Sequence, residues 1–222
     1  MHEVDVNANV LEANQSIALE NRELFTQKGL YVFNLMSGPG AGKTTLLERT
    51  LTALSPKVRF AVIEGDVQSD FDARRIEKLG VPVVQINTGG ACHLDARLVH
   101  NHLSRLPIDA VDALIIENVG NLVCPAEFDL GEHDKVMLLS VTEGADKPRK
   151  YPVMFHVARL VLLTKTDLLP YVDFDVQAAS KAIAGLNLDA PVIPVSARTG
   201  DNFDAWLGWL SARIDRVRSL RG

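Results

Sequence analysis

Three glycines, a lysine and two threonines stand in register across Ser37-Gly38-Pro39-Gly40-Ala41-Gly42-Lys43-Thr44-Thr45. Gly38, Gly40 and Gly42 let the backbone curl until successive N–H groups, from Ala41 to Thr45, point at one place, which is how a main chain cradles phosphate oxygens. Lys43 adds a mobile positive charge for β and γ phosphates. The Thr44 hydroxyl is placed to ligate a Mg²⁺ that bridges them, at the start of a helical pattern whose dipole favours anions. Ser37 stands where the usual pattern has glycine, and Gly38, next in line, is expected to take the sharp bend.

A phosphate turn of this kind needs a strand before it and a helix after it. Tyr31 to Met36 supplies the apolar run and Lys43 onward the helical spacing. The rest of the chain repeats the alternation. Strands are expected at 57–64, 82–86, 111–117, 135–141, 160–165 and 191–195, with helices at 71–79, 94–106, 173–186 and 203–217 between and after them. A leading helix over about 8–28, with apolar positions at Val10, Leu11, Ile17, Ala18, Leu24 and Phe25, ends at Gly29. Near-continuous apolar strands separated by helices imply an α/β domain, a mostly parallel sheet covered on both faces. At 222 residues and 47% hydrophobic composition, one domain over 1–222 is the expected organisation.

Ligands of such sheets lie at the carboxyl ends of the strands, and polar residues collect there. Asp167, in Thr164-Lys165-Thr166-Asp167, can accept both the N1–H and the exocyclic amine of guanine, a donor pair adenine lacks. The stem of Lys165 can cover the base, and the Ser196-Ala197 backbone can meet its carbonyl. Thr164 replaces the usual asparagine and has no amide to tie this loop to the phosphate turn. Glu117, followed by Gly120, matches an element that senses the γ-phosphate through a backbone amide and relaxes when that group leaves. Glu117 and Asp66 are the acids available to hold Mg²⁺ directly or through water. No glutamine or arginine is placed to orient the attacking water, so slow GTP hydrolysis to GDP is expected.

Cys92 and His93 are adjacent on a glycine-rich turn, and Cys124 lies four residues after Gly120. Two thiolates and an imidazole suit Ni²⁺ or Zn²⁺. One chain supplies three such ligands, so water or a two-fold partner would complete the set. Cys124 belongs to the loop that should move with the γ-phosphate, which would let nucleotide state set the position of a metal ligand. The Met1 amine and His2 offer a second, weaker nickel chelate. His100 and His102 point to different sides of their helix and are not expected to ligate.

The net charge of −5, from 23 basic and 28 acidic residues, supplies no field for nonspecific nucleic-acid binding. No apolar run reaches membrane-spanning length and MHEVDVNANV carries no signal-like pattern, so the expectation is a cytoplasmic protein.

With these residues in place, the chain resembles the nickel-inserting accessory GTPases of NiFe hydrogenase maturation, the HypB type. The likeness rests on SGPGAGKTT, EGDVQSDFDA, NTGGACHLDA, ENVGNLVCPAEFDLG and TEGADKPRKYP and covers nearly the whole length. The resemblance implies a P-loop NTPase of the SIMIBI class and a GTP-dependent homodimer that stores or passes nickel and binds zinc in the same place. It also implies a small nickel-binding accessory protein and the hydrogenase large-subunit precursor as partners. The family's metal motif maps onto Cys92, His93 and Cys124, and Lys147 would reach nucleotide across the dimer. A urease-type accessory GTPase, which tends to place proline between cysteine and histidine, is the alternative within the class. A GTP switch without a metal role is the alternative outside it.

Overall fold

Apolar strands that lack an alternating polar face must be covered on both sides. Tyr31–Ser37 (β1), Phe60–Asp66 (β2), Val83–Asn87 (β3), Ala113–Glu117 (β4), Asp134–Ser140 (β5), Leu160–Thr164 (β6) and Val192–Pro194 (β7) form one sheet in the order β3-β2-β4-β1-β5-β6-β7. Every pairing is parallel. The structure, a computed structural model, describes residues 6–66 and 71–220. Its helices are Val6–Gln27 (α1), Lys43–Leu54 (α2), Phe71–Glu77 (α3), Ala96–Leu103 (α4), Cys124–Glu127 (α5), Lys147–Lys150 (α6), Pro152–His156 (α7), Val176–Leu186 (α8) and Phe203–Arg218 (α9), with a 3₁₀ turn at Thr166–Tyr171.

Alternate strand residues sort to two faces. Phe33, Leu35, Val62, Ile115 and Leu138 meet Leu47 and Leu51 of α2 and Trp206 and Leu210 of α9. On the opposite face Val32, Ile63 and Leu114 meet Phe25 of α1 and Val99 and Leu103 of α4, while Met36, Leu139 and Leu163 meet Phe155 of α7 and Ile183 of α8. Each such side chain contributes about 1.5–3 kcal/mol by leaving water. The Trp206 indole N–H, which burial would otherwise orphan, donates to Thr50 Oγ1 at 2.9 Å.

From β1 the chain builds β2 and β3 to one side, returns through β4, then builds β5 to β7 on the other. The loops after β1 and β4 therefore part across a crevice at the carboxyl ends of the strands, where such sheets take ligands.

The expected elements are present with shifted ends. The strand expected from 57 starts at Phe60, because Ser55 to Val58 close a turn on Leu51 and Leu54 carbonyls. The helix expected over 94–106 is confined to Ala96–Leu103, its first turn fixed by Asp95, whose carboxylate accepts from Leu98 N. The leading helix departs in which face it buries. Val10 and Leu11 are exposed, whereas Asn14 and Asn21 are buried beside Ala18 and Phe25. Their amides find partners: Asn14 Nδ2 donates to Asp129 O at 2.8 Å, and Asn21 Nδ2 donates to Ala96 O and Leu130 O, each at 3.0 Å. Among the described residues no helix is long and apolar enough to cross a membrane.

Candidate functional site

β1 delivers the chain into the phosphate turn and α2 begins at Lys43, with Gly42 as its N-cap. The left-handed backbone falls at Gly40 and Gly42, with φ of 72° and 97°, and not at Gly38. A side chain at Gly42 would be strained there. Ser37 parks the lysine at the turn, because its hydroxyl donates to Gly38 O at 2.6 Å and lies 3.2 Å from Lys43 Nζ.

Lys43 Nζ also stands 4.0 Å from Glu117 Oε1, and Thr44 Oγ1 donates to the same oxygen at 3.3 Å. Glu117 ends β4 opposite Glu64 of β2 in the parallel register. Both are buried, and Glu64 Oε1 and Glu117 Oε2 have no hydrogen-bond partner among the described residues. Burial, then the neighbouring Glu117 carboxyl, pushes the Glu64 carboxyl up to about 10. Burial also raises Glu117, against the pull of Lys43. Two buried carboxyls with orphaned oxygens beside a lysine and a threonine hydroxyl fit a divalent cation, which would replace the shared proton. Asp66, expected in this role, ends β2 with its side chain outside the described residues. Met1 and His2 lie outside them too.

On the other side of α2 a cavity of about 280 Å³ is lined by Ala41, Gly42, Thr45, Thr164, Lys165, Asp167, Ala197 and Arg198. These include Lys165, Asp167 and Ala197, three of the residues expected to read a guanine base; Ser196 is buried behind them. Lys165, at φ 60°, donates through Nζ to Gly40 O at 2.7 Å. Thr164 does tie this loop to the phosphate turn, contrary to expectation: its buried hydroxyl donates to Ala41 O at 2.7 Å. A hydroxyl reaches because β6 runs close beside the turn. Ser196 supports Asp167, its Oγ donating to Asp167 Oδ1 at 2.6 Å and leaving Oδ2 for a ligand. Arg49 of α2 completes the support. Its guanidinium donates to Ala197 O at 2.9 Å and Arg198 O at 3.3 Å and lies 5.2 Å from the Phe203 ring centroid.

Gly120 packs on the phosphate turn so closely that a Cβ there would stand 3.0 Å from Pro39 Cα. Asn118, just before it, is fully tied: Nδ2 donates to Asn34 Oδ1 at 3.2 Å, and Oδ1 accepts from Leu94 N at 3.1 Å and Val119 N at 2.9 Å. One buried amide thus joins the loop after β4 to the residue that follows His93. Cys124 opens α5, four residues beyond Gly120, a reach of at most about 14 Å.

The loops bring Cys92, His93 and Cys124 together, their ligand atoms all within 4.8 Å of one another. The two Sγ atoms are 2.9 Å apart and His93 Nδ1 is 3.6 Å from Cys92 Sγ. Both cysteines are free thiols. The Cys92 sulfur raises the Cys124 thiol, and burial lowers His93, so its imidazole stays neutral with a lone pair for a metal. Phe128 fixes that ring by stacking at 3.9 Å between centroids. His100 and His102 bond Asn21 Oδ1 and Leu98 O, both at 2.8 Å, and do not join the cluster. Lys147 lies outside the base cavity, its ammonium 5.3 Å from the Tyr151 ring centroid.

Glu64 and Asn118 stand in sequence at strand ends where ligands are expected, but no role could be read for them, nor for Arg49 and Phe128.

Residues 31–194 match the family model described as CobW/HypB/UreG, nucleotide-binding domain. Hydrogenase maturation factor HypB of Azotobacter vinelandii is 54% identical over 221 residues, 96% of this chain and 73% of that protein. The crystal structure of HypB from Helicobacter pylori in complex with nickel superposes with a TM-score of 0.88 at 38% identity, covering 92% of this chain and 96% of that one. A LAO/AO transport system kinase, with TM-score 0.53 at 16% identity, shares the fold alone, a parallel sheet covered by helices with a phosphate turn after its first strand. The match across the phosphate turn, the carboxylate strands and the sheet that carries them places this chain in the CobW/HypB/UreG nucleotide-binding family, among the hydrogenase maturation factors of HypB type.

Proposed function

We propose that this protein is a GTP-hydrolysing metallochaperone that holds nickel at Cys92, His93 and Cys124 and assists its GTP-dependent insertion into a NiFe hydrogenase. One observation carries the reading: the three soft ligands converge within 4.8 Å, and the loop that leads to one of them, Cys124, lies against the phosphate turn at Gly120. The Helicobacter pylori HypB structure, solved in complex with nickel, supports the choice of metal. Zinc suits the same ligands.

The residues divide the work. Backbone N–H groups from Gly40 to Thr45 receive the phosphates, and Lys43 leaves Ser37 and Glu117 to meet the β and γ oxygens. Asp167 and the Ser196-Ala197 backbone read guanine beneath the Lys165 stem. Thr44, Glu117 and Asp66 are the residues proposed to hold Mg²⁺, which would supply positive charge to offset that of the phosphates. Glu64, beside Glu117, would then give up its proton to solvent. The Gly120 amide senses the γ-phosphate, and Cys124 follows the loop. Intrinsic hydrolysis is slow in this reading. The chain acts as one G domain in the cytoplasm and as a GTP-dependent homodimer in which Lys147 reaches the partner's nucleotide. A small nickel-binding accessory protein and the hydrogenase large-subunit precursor are its partners.

X-ray absorption of the reduced protein loaded with nickel tests the metal half. Sulfur and imidazole scatterers are expected, with sulfur lost in the Cys92→Ser and Cys124→Ser variants. Nickel bound through nitrogen and oxygen alone, unchanged in both variants, would overturn the reading.

A further inference from the structure

The opposite end of the sheet holds a larger cavity, of about 710 Å³, a size typical of small-molecule sites, which run to roughly 300–1,000 Å³. Its floor is where strands begin. Tyr31 opens β1, Asp134 opens β5, and Arg159 stands just before β6. The ends of α1 and α9 form the walls with Arg22, Arg213 and Arg216.

Donors outnumber acceptors in this space. Three of its acids are already committed. Both Asp129 oxygens accept from Arg22 Nη2, at 2.8 and 2.9 Å, and Oδ1 also accepts from the Gly131 amide at 2.8 Å. Glu132 accepts from Asn34 Nδ2 at 3.3 Å, Leu130 N at 2.7 Å and Lys135 at 3.2 Å. Asp134 accepts the buried Tyr31 hydroxyl at 2.9 Å. That one carboxylate also faces two guanidiniums, through Arg159 Nε at 4.0 Å and Arg213 Nε at 3.8 Å, neither at hydrogen-bond distance. Glu127, on the rim, is exposed. His133 adds a further donor. Its Nδ1 accepts from Val32 N at 3.1 Å, which fixes the proton on Nε2. Planar guanidinium forks and a neutral imidazole N–H around one shared carboxylate match the oxygens of a carboxylate or phosphate.

We infer that this cavity is a second ligand site, specific for a small anion carrying carboxylate or phosphate groups and separate from the nucleotide site. Arg159, Arg213 and Arg216 grip the anion and His133 Nε2–H orients it. Nucleotide binding at the other end of β1 leaves it free, so the inference stands independently of the nickel reading.

Protein saturated with GDP, so that the phosphate turn is filled, is titrated calorimetrically with tricarballylate and, separately, with inorganic phosphate. One-to-one binding of at least one probe, with a dissociation constant below about 1 mM, is expected. The double variant Arg159→Glu, Arg216→Glu changes two exposed side chains, so folding is kept, and should weaken the probe at least about tenfold with GDP affinity unchanged. Preference between the probes separates carboxylate from phosphate ligands. The His133 ring ¹⁵N resonances should move on binding. Absence of binding by both probes to about 10 mM, or equal binding by the double variant, overturns the inference.

Discussion

Replacing Glu64 by glutamine should remove a specific pH dependence of stability. In the nucleotide-free, metal-free protein, Glu64 and Glu117 face each other in register with orphaned oxygens. Burial holds the Glu64 carboxyl up at about 10 and raises Glu117 as well. The sign follows from proton counting. A carboxyl whose folded pKa exceeds its unfolded one keeps a proton that the unfolded chain has released. Stability therefore falls as pH rises from the ordinary carboxylate range toward the folded value, by about 1.4 kcal/mol per pH unit for one proton. From about pH 7 to about pH 8.5 that is about 2 kcal/mol, or roughly 4–8 °C in Tm for a chain of this size. Burial lowers His93 and His133, whose contribution is lost as pH falls below the ordinary imidazole range, so this window leaves them aside. Glutamine keeps an N–H donor for Glu117 and has nothing to titrate. Thermal unfolding in a chelator at both pH values should show the wild-type decline and a flatter response in Glu64→Gln. Parallel decline in the two proteins would refute the shared proton, and with it the idea that a divalent cation replaces it.

Arg49→Ala frees the Ala197 and Arg198 carbonyls from a charged donor, a bond worth about 1.5–3 kcal/mol, so GDP affinity measured by fluorescence titration should fall about tenfold or more. Thr164→Val leaves the buried Ala41 carbonyl without its hydroxyl at a cost of about 1–3 kcal/mol, to be read by urea unfolding. Phe128→Ala removes the ring that stacks on His93, a contact worth about 0.5–1.5 kcal/mol, and nickel affinity measured against a chromogenic chelator should weaken a few-fold while GDP binding is unchanged.

What the sequence disclosed follows from how local each feature is. The phosphate turn was legible because its glycines, lysine and hydroxyls are consecutive, and the strands because a sheet buried on both faces leaves unbroken apolar runs. Glu64 was not, since its partner Glu117 is fixed only when β2 and β4 pair. Arg49 meets carbonyls 148 and 149 residues away, a contact no local pattern encodes. The face of α1 misled for a different reason: Asn14 and Asn21 are buried because backbone groups of α4 and of Asp129 and Leu130 satisfy them, while Val10 stays exposed. Thr164 looked deficient against asparagine, yet the closeness of β6 to Ala41 lets a hydroxyl do the tying.

The proposed function requires that the nucleotide loop control the metal site. Its most direct test is a nickel titration of the reduced protein in two states, loaded with GDP and with a non-hydrolysable GTP analogue, with Cys124→Ala alongside. Affinity or stoichiometry should differ between the two states, and the difference should vanish in the variant. Equal nickel binding in both states, or a difference that survives the loss of Cys124, would contradict the claim.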